Sequence, residues 1–308
     1  MESTVLSIIK CFGSELFNSL KDTDNDINEI RIRKDRPVLV YKSNKPYIVT
    51  KQGFEQFSLD KIKGEYIKIN ASQIKNAFAE LCAYSVYRFQ SDINNGFITV
   101  NGGHRIGVCG TYIGENGIMR SVRDITSLNI RIAREYKECS RKLIDITGCN
   151  GGILICGVPS SGKTTMLRDI SRIFSTEKML KVSVADERGE LSAFSRFENS
   201  FDLGLCDIYC GYPKQKAILS AVRTMSPDFI VCDELTGQDL DSVYLTVNYG
   251  VKMIASVHCD CIENAVKNDS LVRLLKTGAF TSIVFLNGSV PGKIENVYNI
   301  GEVQKLYE

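Results

Sequence analysis

The sequence predicts an α/β protein whose second half is a mostly parallel sheet with helices on both faces, preceded by a smaller mixed α+β domain. Three observations carry this prediction. After about residue 141, short and fully apolar runs alternate with helical segments, the pattern of strands buried on both sides. One of those runs leads through a glycine-bent octapeptide into a helical segment. Before that point, strand-like alternation and helical spacing are mixed, with paired glycines between alternating runs. The expected domains are residues 1–140 and 141–308.

The elements follow in order. Val5, Leu6, Ile8, Ile9, Phe12, Leu16, Phe17 and Leu20 make an apolar stripe at helical spacing over residues 1–22, expected to pack on its own domain. Glu29 to Tyr41 alternates and reads as strands. Ser72 to Tyr84 opens with a capping residue and carries Ile74, Ala77, Phe78 and Leu81 on one face. Phe97 to Val100, Gly102-Gly103 and His104 to Val108 form a hairpin signal, and Ser127 to Ala133 is a further strand. In the second half the buried strands are Gly152 to Cys156, Val182 to Ala185, Phe229 to Cys232, Met253 to Val257 and Ser282 to Leu286. Thr164 to Phe174 and Lys214 to Thr224 are helices between them.

Composition narrows the class. The chain has 308 residues, 44% of them hydrophobic, enough for one large core or two modest ones. A net charge of +2 gives no overall field toward nucleic acid or an anionic membrane. The acidic start and the interruption at Lys10 argue against a signal peptide, and no run of roughly 18 apolar residues is present to span a bilayer. Eleven scattered cysteines suit reduced thiols in the cytoplasm. Cys206, Cys210, Cys259 and Cys261 lack the usual zinc spacing, so buried free thiols are the preferred reading. Any work at a membrane requires a partner.

Chemistry concentrates where the apolar strands end. Gly157-Val158-Pro159-Ser160-Ser161-Gly162-Lys163-Thr164 matches G-x-x-x-x-G-K-[ST] in full, between a strand and a helix. Such a loop turns tightly and aims backbone N–H groups at a polyphosphate, with the positive helix N-terminus behind it. Residues 157–165, including Thr165, are therefore expected to bind ATP, with Lys163 on the β- and γ-phosphates and Thr164 on Mg2+. Asp233-Glu234 closes the strand Phe229 to Cys232. Asp233 is expected to hold the metal, and Glu234 to orient or polarise the attacking water, a task that points to hydrolysis. Asp186, Glu187 and Glu190 follow another strand, and His258, one of two histidines, follows a third. Ligands in open α/β sheets bind outside the carboxyl ends of the strands, which favours His258 as a γ-phosphate contact and the acids as catalytic. A solvated turn and a structural histidine are the plainer alternatives.

The order of phosphate loop, acidic box, paired acids and histidine resembles the secretion-superfamily ATPases of type II and type IV systems and pilus retraction motors. A closer likeness, to a branch of that superfamily in endospore-forming bacteria, is carried by Asn95-Gly96-Phe97-Ile98-Thr99, Gly102-Gly103-His104-Arg105-Ile106-Gly107, Ser127-Leu128-Asn129-Ile130-Arg131-Ile132-Ala133-Arg134-Glu135 and Arg223-Thr224-Met225-Ser226-Pro227-Asp228. The resemblance implies a RecA-like core and a ring oligomer, expected to be a hexamer. It further implies an ATPase that energises a membrane channel between mother cell and forespore from the mother-cell cytoplasm. It places Asp186, Glu187 and Glu190 on the family's aspartate box, Asp233-Glu234 on Walker B and His258 on the histidine box. Two departures stand out: the box opens Asp-Glu rather than Glu-Asp, and many relatives have Gly-Glu in Walker B.

Relatives supply arginines to a neighbour's γ-phosphate from just before the core, and such a group contributes on the order of 10³–10⁵ in rate. Arg131 and Arg134 are the candidates taken from that stretch ahead of Arg123, and Arg223, before the Walker B strand, stands level with them; a surface or interface ion pair is the alternative for each. Two other functions compete. A nucleic-acid translocase would need a basic or aromatic channel, which near-neutral charge and the absence of tryptophan do not favour. A nucleotide-bound scaffold with little turnover would not need both Asp233 and Glu234.

Overall fold

The computed structural model describes residues 3–23, 26–43, 45–58, 66–94, 96–115, 118–193 and 201–305; Asn95, part of one family-like segment, lies outside them. The chain separates into two compact units, Met1–Arg134 and Glu135–Glu308.

The first unit begins with α1 (Ser3–Lys10) and α2 (Ser14–Leu20), followed by strands β1 (Ile27–Arg33), β2 (Leu39–Lys42), β3 (Lys45–Thr50) and β4 (Gly53–Gln56). Then come α3 (Ala71–Leu81), a 3₁₀ turn at Val86–Phe89, α4 (Gln90–Asn94), β5 (Phe97–Val100), β6 (His104–Glu115) and β7 (Ile118–Arg131). The strands form one antiparallel sheet in the order β4-β3-β2-β1-β7-β6-β5. Register aligns Ile30 with Ile130 and Ile32 with Leu128, and on the other side Ile106 with Ile130 and Val108 with Leu128. Period two thus sends one apolar row inward. It meets Val5, Ile8, Ile9, Phe12, Leu16, Leu20, Ile74 and Phe78, all buried, so the N-terminal stripe packs on its own unit. That stripe is two helices rather than one, because Gly13 takes φ +111° between them. The cap of α3 is Asn70, not Ser72: its side chain accepts from Gln73 N–H while Gln73 reaches back, a complete capping box.

The second unit contains α5 (Arg141–Thr147), β8 (Ile153–Cys156), α6 (Lys163–Thr176), β9 (Val182–Asp186), β10 (Asp207–Cys210), α7 (Lys214–Thr224) and β11 (Phe229–Cys232). It continues with a 3₁₀ turn at Gly237–Asp239, α8 (Leu240–Asn248), β12 (Lys252–Val257), α9 (Ile262–Ala265), α10 (Asp269–Leu275), β13 (Ser282–Leu286), β14 (Ile294–Asn299) and α11 (Ile300–Gln304). The sheet order is β10-β9-β11-β12-β8-β13-β14, parallel except for the antiparallel edge pair β13–β14. Both faces are covered. Leu154, Ile230, Cys232, Met253 and Ala255 enter one core with α7, α8 and α10. Ile153, Ile155, Val182, Val184, Phe229 and Val231 enter the other with α5 and α6. This two-sided burial is why the strands read as unbroken apolar runs. Among the described residues no helix is long and apolar enough to cross a membrane.

Candidate active site

Four loops leave the carboxyl ends of adjacent strands, in the spatial order β9, β11, β12, β8. The loop after β8 bends back on itself. A Cβ on Gly157 would lie 2.3 Å from Ser161 Oγ, and one on Gly162, at φ +97°, would lie 2.7 Å from Gly292 N. Ser161 N–H donates to Val158 O at 3.2 Å, and Gly292 N–H donates to Ser161 O at 2.8 Å, so the β13–β14 hairpin buttresses the loop. Helix α6 then begins at Lys163 with no side-chain cap at Gly162. Its first-turn N–H groups have no partner within the helix. The Ser161 hydroxyl is buried and also lacks a partner. An uncapped helix start with an orphaned hydroxyl inside a glycine-bent loop fits an anion.

Lys163 is buried, and its ammonium uses all three donors: on Gly157 O at 2.8 Å, Val158 O at 2.9 Å and His258 Nδ1 at 3.3 Å. Burial holds its pKa below the ordinary lysine value, against the pull of Asp233 and Glu234. Because an ammonium cannot accept, Nδ1 of His258 must. Nε2 therefore carries the proton and donates to Glu234 Oε1 at 3.1 Å. Thr164 Oγ1 donates to Asp233 Oδ2 at 2.7 Å. The other Asp233 oxygen accepts from Ser256 Oγ and from Glu234 N–H, the latter at 3.0 Å. Asp233 and Thr164 are thus one hydroxyl–carboxylate pair beside the loop, an all-oxygen donor set suited to magnesium.

Glu234 has φ +48°, the left-handed region, which costs a non-glycine residue about 1–2 kcal/mol. Its second carboxylate oxygen meets Arg188 Nη1 at 2.7 Å, and its carbonyl accepts from Lys214 Nζ at 2.6 Å. Asp186, Glu187, Glu190, Lys214, Asp233 and Glu234 line a cleft of about 310 Å³. Within the box the acids differ. Asp186 is buried and accepts from Leu191 N–H at 3.1 Å, Ser192 N–H at 2.8 Å and Ser192 Oγ at 2.7 Å, so it shapes the loop that presents the others. Glu187 is exposed and Glu190 half-buried. Arg168 of α6 donates to Glu190 O at 2.7 Å and lies 3.9 Å over the Phe201 ring, fastening this acidic loop to α6.

The remaining expected residues lie partly in this loop and helix and partly away from them. Val158, Pro159 and Ser160 form the loop itself, and Thr165 follows Thr164 in α6. Arg131 and Arg134 belong to the first unit. Arg131 is exposed on β7, opposite Glu29 on one side and Arg105 on the other, and Arg134 Nη2 donates to Ile27 O at 3.1 Å. Arg123 pairs with exposed Asp124, and Arg223 lies at the far end of α7 from Lys214. Arg168, Arg188, Lys214 and Ser256 join the site only through the fold. Of these, only Ser256 left a sequence signal, a hydroxyl inside an apolar strand two positions before His258. All eleven cysteines are free thiols, and burial lifts Cys206 and Cys232 to about 12.

A solved structure has a similar fold. The Legionella pneumophila ATPase DotB superposes with a TM-score of 0.56 over 91% of this chain and 79% of that one, at 12% identity. At that identity the match speaks for the fold, a RecA-like core behind a mixed α+β unit. In sequence, the chain is 31% identical over 283 residues to Stage III sporulation protein AA of Bacillus subtilis (strain 168), covering 89% of this chain and 87% of that one. The ycf45 protein of Cyanidium caldarium is 25% identical over 57% of this chain and 53% of its own length. Since the family described as Sporulation stage III, protein AA matches from residue 5 to residue 304, taking in both units and every strand-tip loop, the chain belongs to that family.

Proposed function

We propose that this chain is a magnesium-dependent ATP hydrolase, working as a ring-forming oligomer, expected to be a hexamer, on the cytoplasmic side of a membrane channel built during endospore formation. One observation carries the reading. Lys163, the Thr164–Asp233 pair and the Glu234–His258 pair converge at the tips of β8, β11 and β12. In this reading the first-turn amides of α6 and Lys163 bind the phosphate oxygens, which replace the carbonyls of Gly157 and Val158 as partners of the ammonium. Thr164 and Asp233 would hold magnesium, whose charge offsets that of the phosphates. Water attacks the γ-phosphorus, the bond to the β–γ bridging oxygen breaks, and ADP leaves. Glu234 orients the water and accepts its proton, while His258 links that carboxylate to Lys163 so that phosphate contact and base position change together. Glu187 and Glu190 help order the water, and Arg131 and Arg134 are offered to the site of a second copy.

The test is magnesium-ATP turnover measured across protein concentration, together with solution mass with and without nucleotide. Turnover that rises as the chain assembles supports the motor. A concentration-independent specific rate in a persistent monomer refutes the ring, and tight binding without turnover leaves only a nucleotide-bound scaffold. Stimulation by DNA would turn the reading toward a translocase.

A further inference from the structure

Glu234 holds the most demanding position in this chemistry, yet its left-handed backbone is one a glutamate does not keep unaided. Its N–H is held by Asp233 Oδ1 and Ser256 Oγ, both at 3.0 Å. The next peptide, joining Glu234 to Leu235, is fastened at both ends. Leu235 N–H donates to Ser256 O at 2.8 Å, and Glu234 O accepts from Lys214 Nζ at 2.6 Å. Lys214 opens α7, its side chain is 11% exposed, and its charge is met by Asp239 at 3.6 Å, itself 9% exposed. Asp239 in turn accepts from Thr236 N–H at 2.9 Å and Thr236 Oγ1 at 3.0 Å, closing the turn after Glu234. An ammonium withdrawn from water is costly unless paired. A lysine needed only to neutralise Asp239 would sit closer to it; this one makes its shorter contact with the neutral carbonyl of the catalytic acid.

We propose that Lys214 is a positioning residue. By gripping the Glu234 carbonyl it fixes the 234–235 peptide, and so aims the Glu234 carboxylate at the attacking water. The inference deepens the hydrolase reading and rests on Glu234 being its water-handling acid. Lys214→Met keeps the packed stem and removes the ammonium. Turnover number should fall on the order of 10–100-fold, while KM and the affinity for a non-hydrolysable ATP analogue stay within about twofold. Lys214→Arg should recover most of the loss. In a Glu234→Gln background Lys214→Met should have no further effect, because its route to the chemistry is gone. Hydrogen exchange at the Glu234 and Leu235 amides should quicken at least about tenfold, with Ile230 and Val231 still protected. Loss of analogue affinity in step with turnover, additivity with Glu234→Gln, or unchanged exchange at 234–235 would overturn the proposal. A wild-type chain without turnover would refute the hydrolase reading instead, and the exchange comparison would still decide whether Lys214 holds the peptide.

Discussion

Replacing Asp169 by alanine should cost the second unit on the order of 3–5 kcal/mol. Asp169 lies on α6, buried at 4% exposure, and accepts from Ser140 N–H at 2.9 Å, Ser140 Oγ at 2.7 Å, Glu138 N–H at 3.0 Å and Arg172 Nη2 at 2.8 Å. Ser140 is fully buried, so both of its donors would be left without a partner, at about 1–3 kcal/mol each. Arg172, 12% exposed, keeps Glu138 and Glu177, which limits the electrostatic share. Burial alone would raise the Asp169 carboxyl, but the Ser140 hydroxyl and amide, Arg172 and the Glu138 amide together hold it below the ordinary value of 3.8. The sign follows: this stabilisation is complete above that value and is lost as pH falls through the lower folded pKa. Urea unfolding of the full chain at neutral pH measures the difference, and a loss smaller than about 1 kcal/mol would show that water replaces the lost acceptor, refuting the argument from buried donors.

Three further outcomes are expected. Lys163→Ala removes the buried ammonium of the phosphate loop and should abolish nucleotide binding by calorimetry; unchanged heats would sink the phosphate site. Glu234→Gln should keep ATP affinity while slowing turnover on the order of 10²-fold or more, and equal losses in both would remove it as the water-handling acid. His104, fully buried between Thr4 and Ala133, is pushed down by burial from 6.5 to about 4. The unfolded chain binds its proton first, so stability is full above 6.5 and falls by about 2 kcal/mol by pH 5; a His104→Gln chain with the same pH slope between 7 and 5 would contradict this.

What the sequence disclosed, and what it hid, follows from burial. Strands β8, β9, β11, β12 and β13 were legible because both their faces are apolar, whereas β10, with Asp207 and Tyr209 on a sheet edge, and β14, with Glu295 and Asn296, carry no such run. In the first unit, β3, which opens at Lys45-Pro46, and β4, with Glu55 and Gln56, are likewise weakly marked in the sequence. The break at Gly13 was invisible to periodicity, since apolar residues stay at helical spacing across it. The Gly157–Thr164 loop and the acids after β11 are marked in the sequence by residue type at fixed spacing. Lys214 could not, because its meaning is a bond to a main-chain carbonyl twenty positions away that exists only once α7 packs against β11.

The site itself depends on strand order more than on any motif. β8, β9, β11 and β12 come in that order along the chain, but in the sheet β12 lies between β11 and β8, with β9 beyond β11. That crossover inserts Ser256 and His258, the last of these to be synthesised, between the acids after β11 and the loop after β8. Ser256 reaches Asp233, and His258 reaches Lys163 on one side and Glu234 on the other. An order following the sequence would separate the acids from the loop by a strand carrying neither group. Lys163 and Glu234 would then have no common neighbour. In the order observed, any ligand that drew Lys163 from its carbonyls would also disturb His258, and through it the Glu234 carboxylate.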